Sequence, residues 1–229
     1  PSIRAFMEAS EMNGRPADMP GVQGSPGELT WDAQQEEIRT APAGERLLVI
    51  APPGTGKTAV LCGRVQHLVV EQGVNSSNIL VVSFTRTAVA EIRSRIEGFI
   101  GSAKTSSLRI STIDSTAWSL QQGFPAEESS TGSNDWSSSD YDLSIEQVIE
   151  LVGEGDEDLM DFLESFDHII VDEAQDVIGV RSRFISLLIE KLGEGCGFTI
   201  LADPLQAIYD FTQDGEGADP VALLESMAG

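Results

Sequence analysis

The chain has 229 residues, of which 41% are hydrophobic and 22% charged, with a formal net charge of −23. That length can bury a full core in one or two domains, and no apolar run in it is long enough to span a bilayer. Such acidity repels any polyanion that does not meet a local basic patch; otherwise it reads as a solvated surface that aids solubility.

The chain starts at Pro1 rather than Met and shows no secretory signal pattern, which reads as a processed or excised piece. Residues 1–28 are rich in Pro, Gly and small polar residues and read as a mobile lead-in, with Ile3–Met7 as a possible short docked helix. Order is expected from Leu29, with Thr30 or Asp32 capping a helix that runs to about Thr40. That helix carries Gln34 and Gln35. A glutamine just upstream of a phosphate loop can donate to and accept from an adenine edge, or simply decorate a surface helix.

The apolar run Leu47–Ile50 then leads into Ala51-Pro52-Pro53-Gly54-Thr55-Gly56-Lys57-Thr58 and an amphipathic segment from Ala59 to Val70. A buried strand, a glycine turn and a helix N-terminus in this order make a phosphate cradle. The backbone N–H groups from Pro53 to Thr58, proline apart, and the positive helix end face the anion. Lys57 reaches the β/γ-phosphates and the Thr58 hydroxyl holds Mg²⁺. Gly54 and Gly56 permit positive φ, and Ala51 stands where the strict pattern has glycine. Cys62 in the following helix and the distant Cys196 lack metal-ligand spacing. They read as small hydrophobes in a reducing, cytoplasmic setting, with a disulfide as the alternative.

Ile79–Ser83 is the next strand, running into Phe84-Thr85-Arg86-Thr87 and a helix from Ala88 to Ile96. Arg86, Arg93 and Arg95 read either as a basic patch or as one side of Glu–Arg pairs on an amphipathic helix. Leu108–Thr112 is a strand leading into a helix over Ser115–Leu120. Gln121–Asp142 is Ser-rich and acidic and reads as a mobile insertion, with Trp136 and Tyr141 able to dock back. Helices follow over Ser144–Val152 and Leu159–Ser165.

The strand His168–Val171 ends in Asp172-Glu173-Ala174-Gln175-Asp176. Two carboxylates at the C-terminal edge of an α/β sheet sit where ligands bind: Asp172 to hold Mg²⁺ and Glu173 to orient and activate a water. His168 receives no role. A helix over Val180–Leu192, a strand over Gly197–Leu201 and a terminal helix over Pro220–Met227 complete the pattern. Gln206 lies just past the last strand, able to meet a γ-phosphate, and Tyr209 and Phe211 offer flat faces either to bases or to the core. Strands alternating with helices throughout predict an α/β fold with a mostly parallel sheet.

The order of these motifs resembles the first RecA-like domain of a superfamily 1 DNA helicase of the UvrD/Rep type, a P-loop NTPase domain, from about Leu29 to Phe211. Gln34 matches that family's adenine-reading glutamine, with the spacing from Leu29 one residue longer than usual and Gln35 as fallback. Phe84-Thr85-Arg86-Thr87-Ala88 resembles the single-strand-gripping motif Phe-Thr-Asn-Lys-Ala, and Thr112-Ile113-Asp114-Ser115 resembles Thr-Phe-His-Ser with aspartate replacing histidine. Asp172–Asp176 resembles the acidic box. Asp203-Pro204-Leu205-Gln206-Ala207-Ile208-Tyr209 resembles the motif whose glutamine links the γ-phosphate to DNA.

The resemblance implies ATP and Mg²⁺ as cofactors, with no further metal and no membrane. It makes Glu173, Asp172, Lys57 and Gln206 catalytic, and Thr85, Arg86, Thr112, Tyr209 and Phe211 contacts to single-stranded DNA. RNA offers the same stacking and phosphate contacts. Nothing in the 229 residues resembles the second RecA-like domain, which supplies arginines to the γ-phosphate in this family. The piece alone is therefore expected to bind nucleotide weakly, to hydrolyse it slowly if at all, and not to unwind duplex. Two other readings stand beside this one: a degenerate nucleotide-binding adaptor completed by a partner chain, and a generic P-loop ATPase.

Overall fold

Apolar strands joined by helical crossovers must run the same way, and both faces of the resulting sheet are then covered. The computed structural model describes residues 3–7, 30–121, 138–193 and 195–203. These described residues contain six strands: β1 (Ile3–Met7), β2 (Arg46–Ile50), β3 (Ile79–Ser83), β4 (Arg109–Thr112), β5 (His168–Val171) and β6 (Gly197–Ala202). They form one sheet in the order β1-β2-β6-β5-β3-β4, with every pairing parallel. The helices are α1 (Ala33–Thr40), α2 (Lys57–Gln66), α3 (Arg86–Ile100), α4 (Ser102–Ser107), α5 (Ile113–Gln121), α6 (Ser138–Glu154), α7 (Glu157–Glu164) and α8 (Gly179–Glu190). A π-helical turn over His67–Glu71 prolongs α2, so the helical stretch covers the amphipathic segment expected there. Among the described residues no helix is long and apolar enough to cross a membrane.

Alternation along the strands divides the core in two. Leu48, Ile50, Leu80, Val82, Ile169 and Val171 face a layer made by α5 to α8, where Phe184 is fully buried. Leu47, Val49, Ile79, Val81 and Ile170 face α1, α2 and α3, with Leu61, Val65 and Ile92 opposite. Gly197 opens β6 because the loop before β2 crosses it closely. A Cβ there would stand 2.0 Å from the Ala43 carbonyl oxygen, so only glycine fits.

The structure departs from the sequence reading in three places. Ile3–Met7 is an edge strand paired with β2, not a helix or part of a mobile lead-in. Its five residues gain a backbone partner, Arg4 pairs with Glu37 and Glu45, and Phe6 enters the core on the α1 and α2 side. The Ser-rich insertion is shorter than expected at its end, since α6 already begins at Ser138. That helix is held by Ile145, Val148 and Val152, all buried, each contributing about 1.5–3 kcal/mol by removal from water. The short α4 answers to no sequence signal. Trp136 and the terminal helix expected over Pro220–Met227 lie outside the described residues.

Candidate active site

The glycine turn begins where β2 ends. The Ala51 N–H donates to the Ala202 carbonyl at 3.0 Å, which fixes the turn beside the end of β6. Gly54 and Gly56 have φ of 80° and 86°, the left-handed region that side chains resist. Ala51 stays out of that region, so its methyl carries no backbone penalty. Gly56 is the N-cap of α2 and offers no side chain, leaving the first N–H groups of the helix uncapped. The Thr55 hydroxyl donates to the Pro52 carbonyl at 2.8 Å and braces the turn. Lys57 Nζ lies 2.9 Å from the Ala51 carbonyl and 3.2 Å from that of Pro52, placing a cation at the turn's mouth. Pro53 is exposed, and Thr58 is half-buried in the first turn of α2.

Beside the turn opens a shallow pocket whose lining includes Phe6, Asp32, Gln34, Gln35, Thr55 and Lys57. Asp32 caps α1 through a capping box. Gln35 accepts from the Asp32 N–H at 3.2 Å and donates from Nε2 to the Thr55 carbonyl at 3.0 Å, tying α1 to the glycine turn. Gln34 reaches the same pocket with its side-chain amide uncommitted among the described residues. Phe6 was missed by the sequence reading because its place on the wall depends on the pairing of β1 with β2.

The acidic end of β5 lies two strands away on the same edge. The Asp172 N–H donates to the Val82 carbonyl at 2.9 Å. Asp172 is only 2% exposed, and among the described residues its Oδ1 has no hydrogen-bond partner. Burial, and then the neighbouring Glu173 carboxylate, push its pKa up to about 7, while the Lys57 ammonium pulls the other way. The Ser83 hydroxyl at the end of β3 is likewise buried and unpartnered. Glu173 has φ of 52°, the one positive-φ residue other than glycine among those described. Its Oε2 accepts from Gln175 Nε2 at 2.7 Å. An uncapped helix N-terminus, an ammonium and a buried carboxylate oxygen without a donor fit a phosphate group with a divalent cation. Among the described residues no cluster of three or more His, Cys, Asp or Glu makes a metal cage, so a cation here needs oxygens from a ligand, as Mg²⁺ commonly takes.

Farther along this edge are the residues read as nucleic-acid contacts. Phe84 and Thr85 are exposed, Thr85 accepts from the Ala88 N–H at 3.1 Å as N-cap of α3, and Arg86 is exposed beside it. Thr112, paired in register with Ser83, is buried and uses its hydroxyl on the Ser115 N–H and hydroxyl. Arg95 pairs with Glu91 as the amphipathic-helix reading has it, Arg93 instead donates to the Ile110 carbonyl of β4, and Arg86 is the exposed cation of that group. Asp114, standing where histidine was expected, is held by Arg181 at 2.8 Å, and Arg181 also grips Asp142 at 2.8 Å. Gln206, Tyr209 and Phe211 lie outside the described residues. Cys62 and Cys196 are free and buried, and burial pushes both thiols up to about 12.

A wholly parallel sheet with its glycine turn and its acidic strand end on one edge has the architecture of a RecA-like domain. The sequence profile of the UvrD/REP helicase N-terminal domain matches residues 31–152 and 126–225, and the chain belongs to that family. It is similar to ATP-dependent DNA helicase UvrD1 of Mycobacterium tuberculosis, 38% identical over 94 residues, which is 40% of this chain and 12% of that protein. It is also similar to ATP-dependent DNA helicase PcrA of Staphylococcus epidermidis, 40% identical over 68 residues, 30% of this chain and 9% of the relative. With ATP-dependent DNA helicase srs2 of Schizosaccharomyces pombe it shares 36% identity over 70 residues, 31% of this chain and 8% of the other. The chain thus spans far less than two thirds of these relatives.

Proposed function

We propose that this chain is the ATP-binding wall of a DNA helicase that couples ATP hydrolysis to movement along single-stranded DNA. The observation that carries the reading is the buried Asp172 oxygen without a partner, on the same sheet edge as the Lys57 ammonium and the uncapped start of α2. In this reading the N–H groups of Gly54 to Thr58 and the Lys57 ammonium bind the phosphates, and Gln34 meets the adenine edge. Thr58 and Asp172 hold Mg²⁺, whose charge offsets that of the phosphate oxygens when it is bound. Glu173 orients the attacking water and accepts its proton, and Gln206 meets the γ-phosphate. Thr85, Arg86, Tyr209 and Phe211 serve the nucleic acid, with phosphate contacts at the strand end and stacking from the aromatics, while Thr112, buried with its hydroxyl spent on Ser115, braces the neighbouring strand end instead of touching a phosphate. A second RecA-like domain supplies the arginines that accelerate transfer by roughly 10³–10⁵ in related phosphoryl-transfer enzymes, so the 229-residue chain alone turns over slowly.

Titration of the chain with a fluorescent ATP analogue and Mg²⁺ tests this. Lys57→Ala is expected to weaken binding by roughly 100-fold, while Glu173→Gln keeps binding and loses hydrolysis. Equal affinity in Lys57→Ala and parent refutes the reading. The ion pair between Asp114 and Arg181 supports a second one, a nucleotide-binding adaptor, because a residue at the expected DNA path is spent inside the fold. Binding of a labelled single strand at low salt, with and without the analogue, separates the two: the adaptor shows no nucleotide-dependent binding.

A further inference from the structure

Glu173 stands in a backbone conformation that resists a side chain, with φ of 52° and ψ of 47°, immediately after the buried Asp172. Such a geometry persists only when its surroundings over-determine it; the Asp176 N–H donates to the Glu173 carbonyl at 3.0 Å, and the Glu173 side chain is held by Gln175. Its side chain is 3% exposed. Nε2 donates to Glu173 Oε2 at 2.7 Å, and Oε1 accepts from the Asp203 backbone N–H at 2.8 Å. One amide therefore joins the carboxylate after β5 to the backbone at the end of β6. The amide does both, where glutamate would keep the acceptor and present a second negative charge to Glu173, and methionine would keep the length and lose both bonds.

We propose that Gln175 is a positioning residue that aims the Glu173 carboxylate and makes that aim depend on where the end of β6 lies. Displacement of the Asp203 backbone pulls on Oε1, turns the amide plane, and moves the donor from which Glu173 takes its direction. The link is short, buried at its Asp203 end and part-buried at Glu173, so a shift of a few tenths of an ångström at one end is felt at the other. The proposal deepens the ATPase reading and rests on it for the consequence to hydrolysis, whereas the link itself is a property of the fold.

Two measurements on the 229-residue chain separate these. In ¹⁵N-labelled protein, hydrogen exchange of the Asp203 amide is compared in parent, Glu173→Gln, Gln175→Met and the double variant. The expected result is that Glu173→Gln changes Asp203 protection about fivefold in the parent background and leaves it unchanged when residue 175 is methionine. A purely structural Gln175 would lower Asp203 protection without making it answer to residue 173, and that outcome overturns the proposal. Single-turnover hydrolysis of radiolabelled ATP, protein in excess, supplies the second arm. Gln175→Met and Gln175→Glu are expected to slow hydrolysis roughly tenfold with analogue affinity within about twofold of the parent. Unchanged hydrolysis also overturns the proposal. Coupling at Asp203 in a parent that binds no ATP analogue supports the link and refutes the ATPase reading instead. Gln175→Glu keeps the acceptor for Asp203, so it guards against loss of folding in Gln175→Met.

Discussion

At the N-terminal end of β5, His168 is fully buried with both ring nitrogens matched; at the C-terminal end of the same strand, Asp172 is almost as buried and holds an oxygen with no partner among the described residues. His168 Nδ1 lies 2.6 Å from the Ala43 carbonyl and Nε2 lies 2.9 Å from the Thr199 hydroxyl. A carbonyl only accepts, so the proton sits on Nδ1 and Nε2 receives the Thr199 hydroxyl. Arg64, also fully buried, completes the group. Its Nε donates to Thr199 at 2.8 Å, and its terminal nitrogens donate to the carbonyls of Ile38, Ala41 and Pro42 at 2.9, 2.9 and 3.2 Å. Burial lowers the Arg64 pKa to about 10, which still leaves it charged at neutral pH. The lesson is that burial of a polar residue does not identify a site; the balance of donors and acceptors does. The matched end is a joint between α1, α2, β5 and β6, and the unmatched end points to a ligand.

The largest effect is expected from breaking the matched end. Arg64→Met keeps most of the volume but leaves the Ile38 carbonyl and the Thr199 hydroxyl short of a donor, whereas the carbonyls of Ala41 and Pro42 keep Gln72 Nε2 and the Glu45 N–H. An unsatisfied buried group costs about 1–3 kcal/mol, and such losses are not additive, so a total near ~3 kcal/mol is expected in urea unfolding. A loss below about 1 kcal/mol would mean the joint is dispensable and that matching does not mark structure here.

The unmatched end should respond in the opposite direction. Asp172→Asn removes a charge that the fold disfavours and keeps the shape. With the folded pKa near 7, the carboxylate is ionised at pH 8 at the fold's expense. In chelator at that pH the variant is expected to be more stable by about 1–2 kcal/mol, an amount reduced from the full shift because the new amide also needs partners. Mg²⁺-dependent binding of the ATP analogue should weaken at least tenfold. Greater stability with poorer binding is the signature of a group retained for function. A variant less stable than the parent would place Asp172 with His168, as structure.

What the sequence disclosed follows the same division. Lys57, Thr58, Asp172 and Glu173 were legible because each lies in a local pattern, a strand followed by a glycine turn or by paired acids. Arg64 was not, since a lone arginine in an amphipathic helix looks like a surface residue until the carbonyls of the α1 C-terminus and Thr199 of β6 converge on it. Asp114 read as drift in a contact motif because its partner, Arg181, is distant in the chain. The strand Ile3–Met7 has neither helical nor strand periodicity of its own and takes its form from the open edge of β2. The motif resemblance put Gln34 first with Gln35 as fallback; the capping box and the Thr55 carbonyl engage Gln35 in bracing the turn and, among the described residues, leave Gln34's amide uncommitted.

The smallest expected effect concerns pH. Burial, and then the Arg64 guanidinium, lower the His168 pKa to about 3, against the pull of the Ala43 carbonyl. A proton on Nε2 would turn the acceptor of the Thr199 hydroxyl into a donor facing Arg64, so the fold resists it. The unfolded chain accepts that proton near pH 6.5. Stability from a neutral His168 is therefore full above about pH 6.5 and is lost as pH falls toward 3, at up to ~1.4 kcal/mol per pH unit. His168→Gln cannot titrate and lacks this slope, although it also disturbs the joint at every pH. The difference between parent and variant isolates His168 from the carboxylates common to both, Asp172 among them, whose titration has the opposite sign. Urea unfolding at pH 7.0 and pH 5.5 should show the parent's advantage shrinking by about 1 kcal/mol. A constant difference across that interval would mean His168 titrates in the folded chain as it does in the unfolded one, and the matched end of β5 would then be open to protons rather than closed.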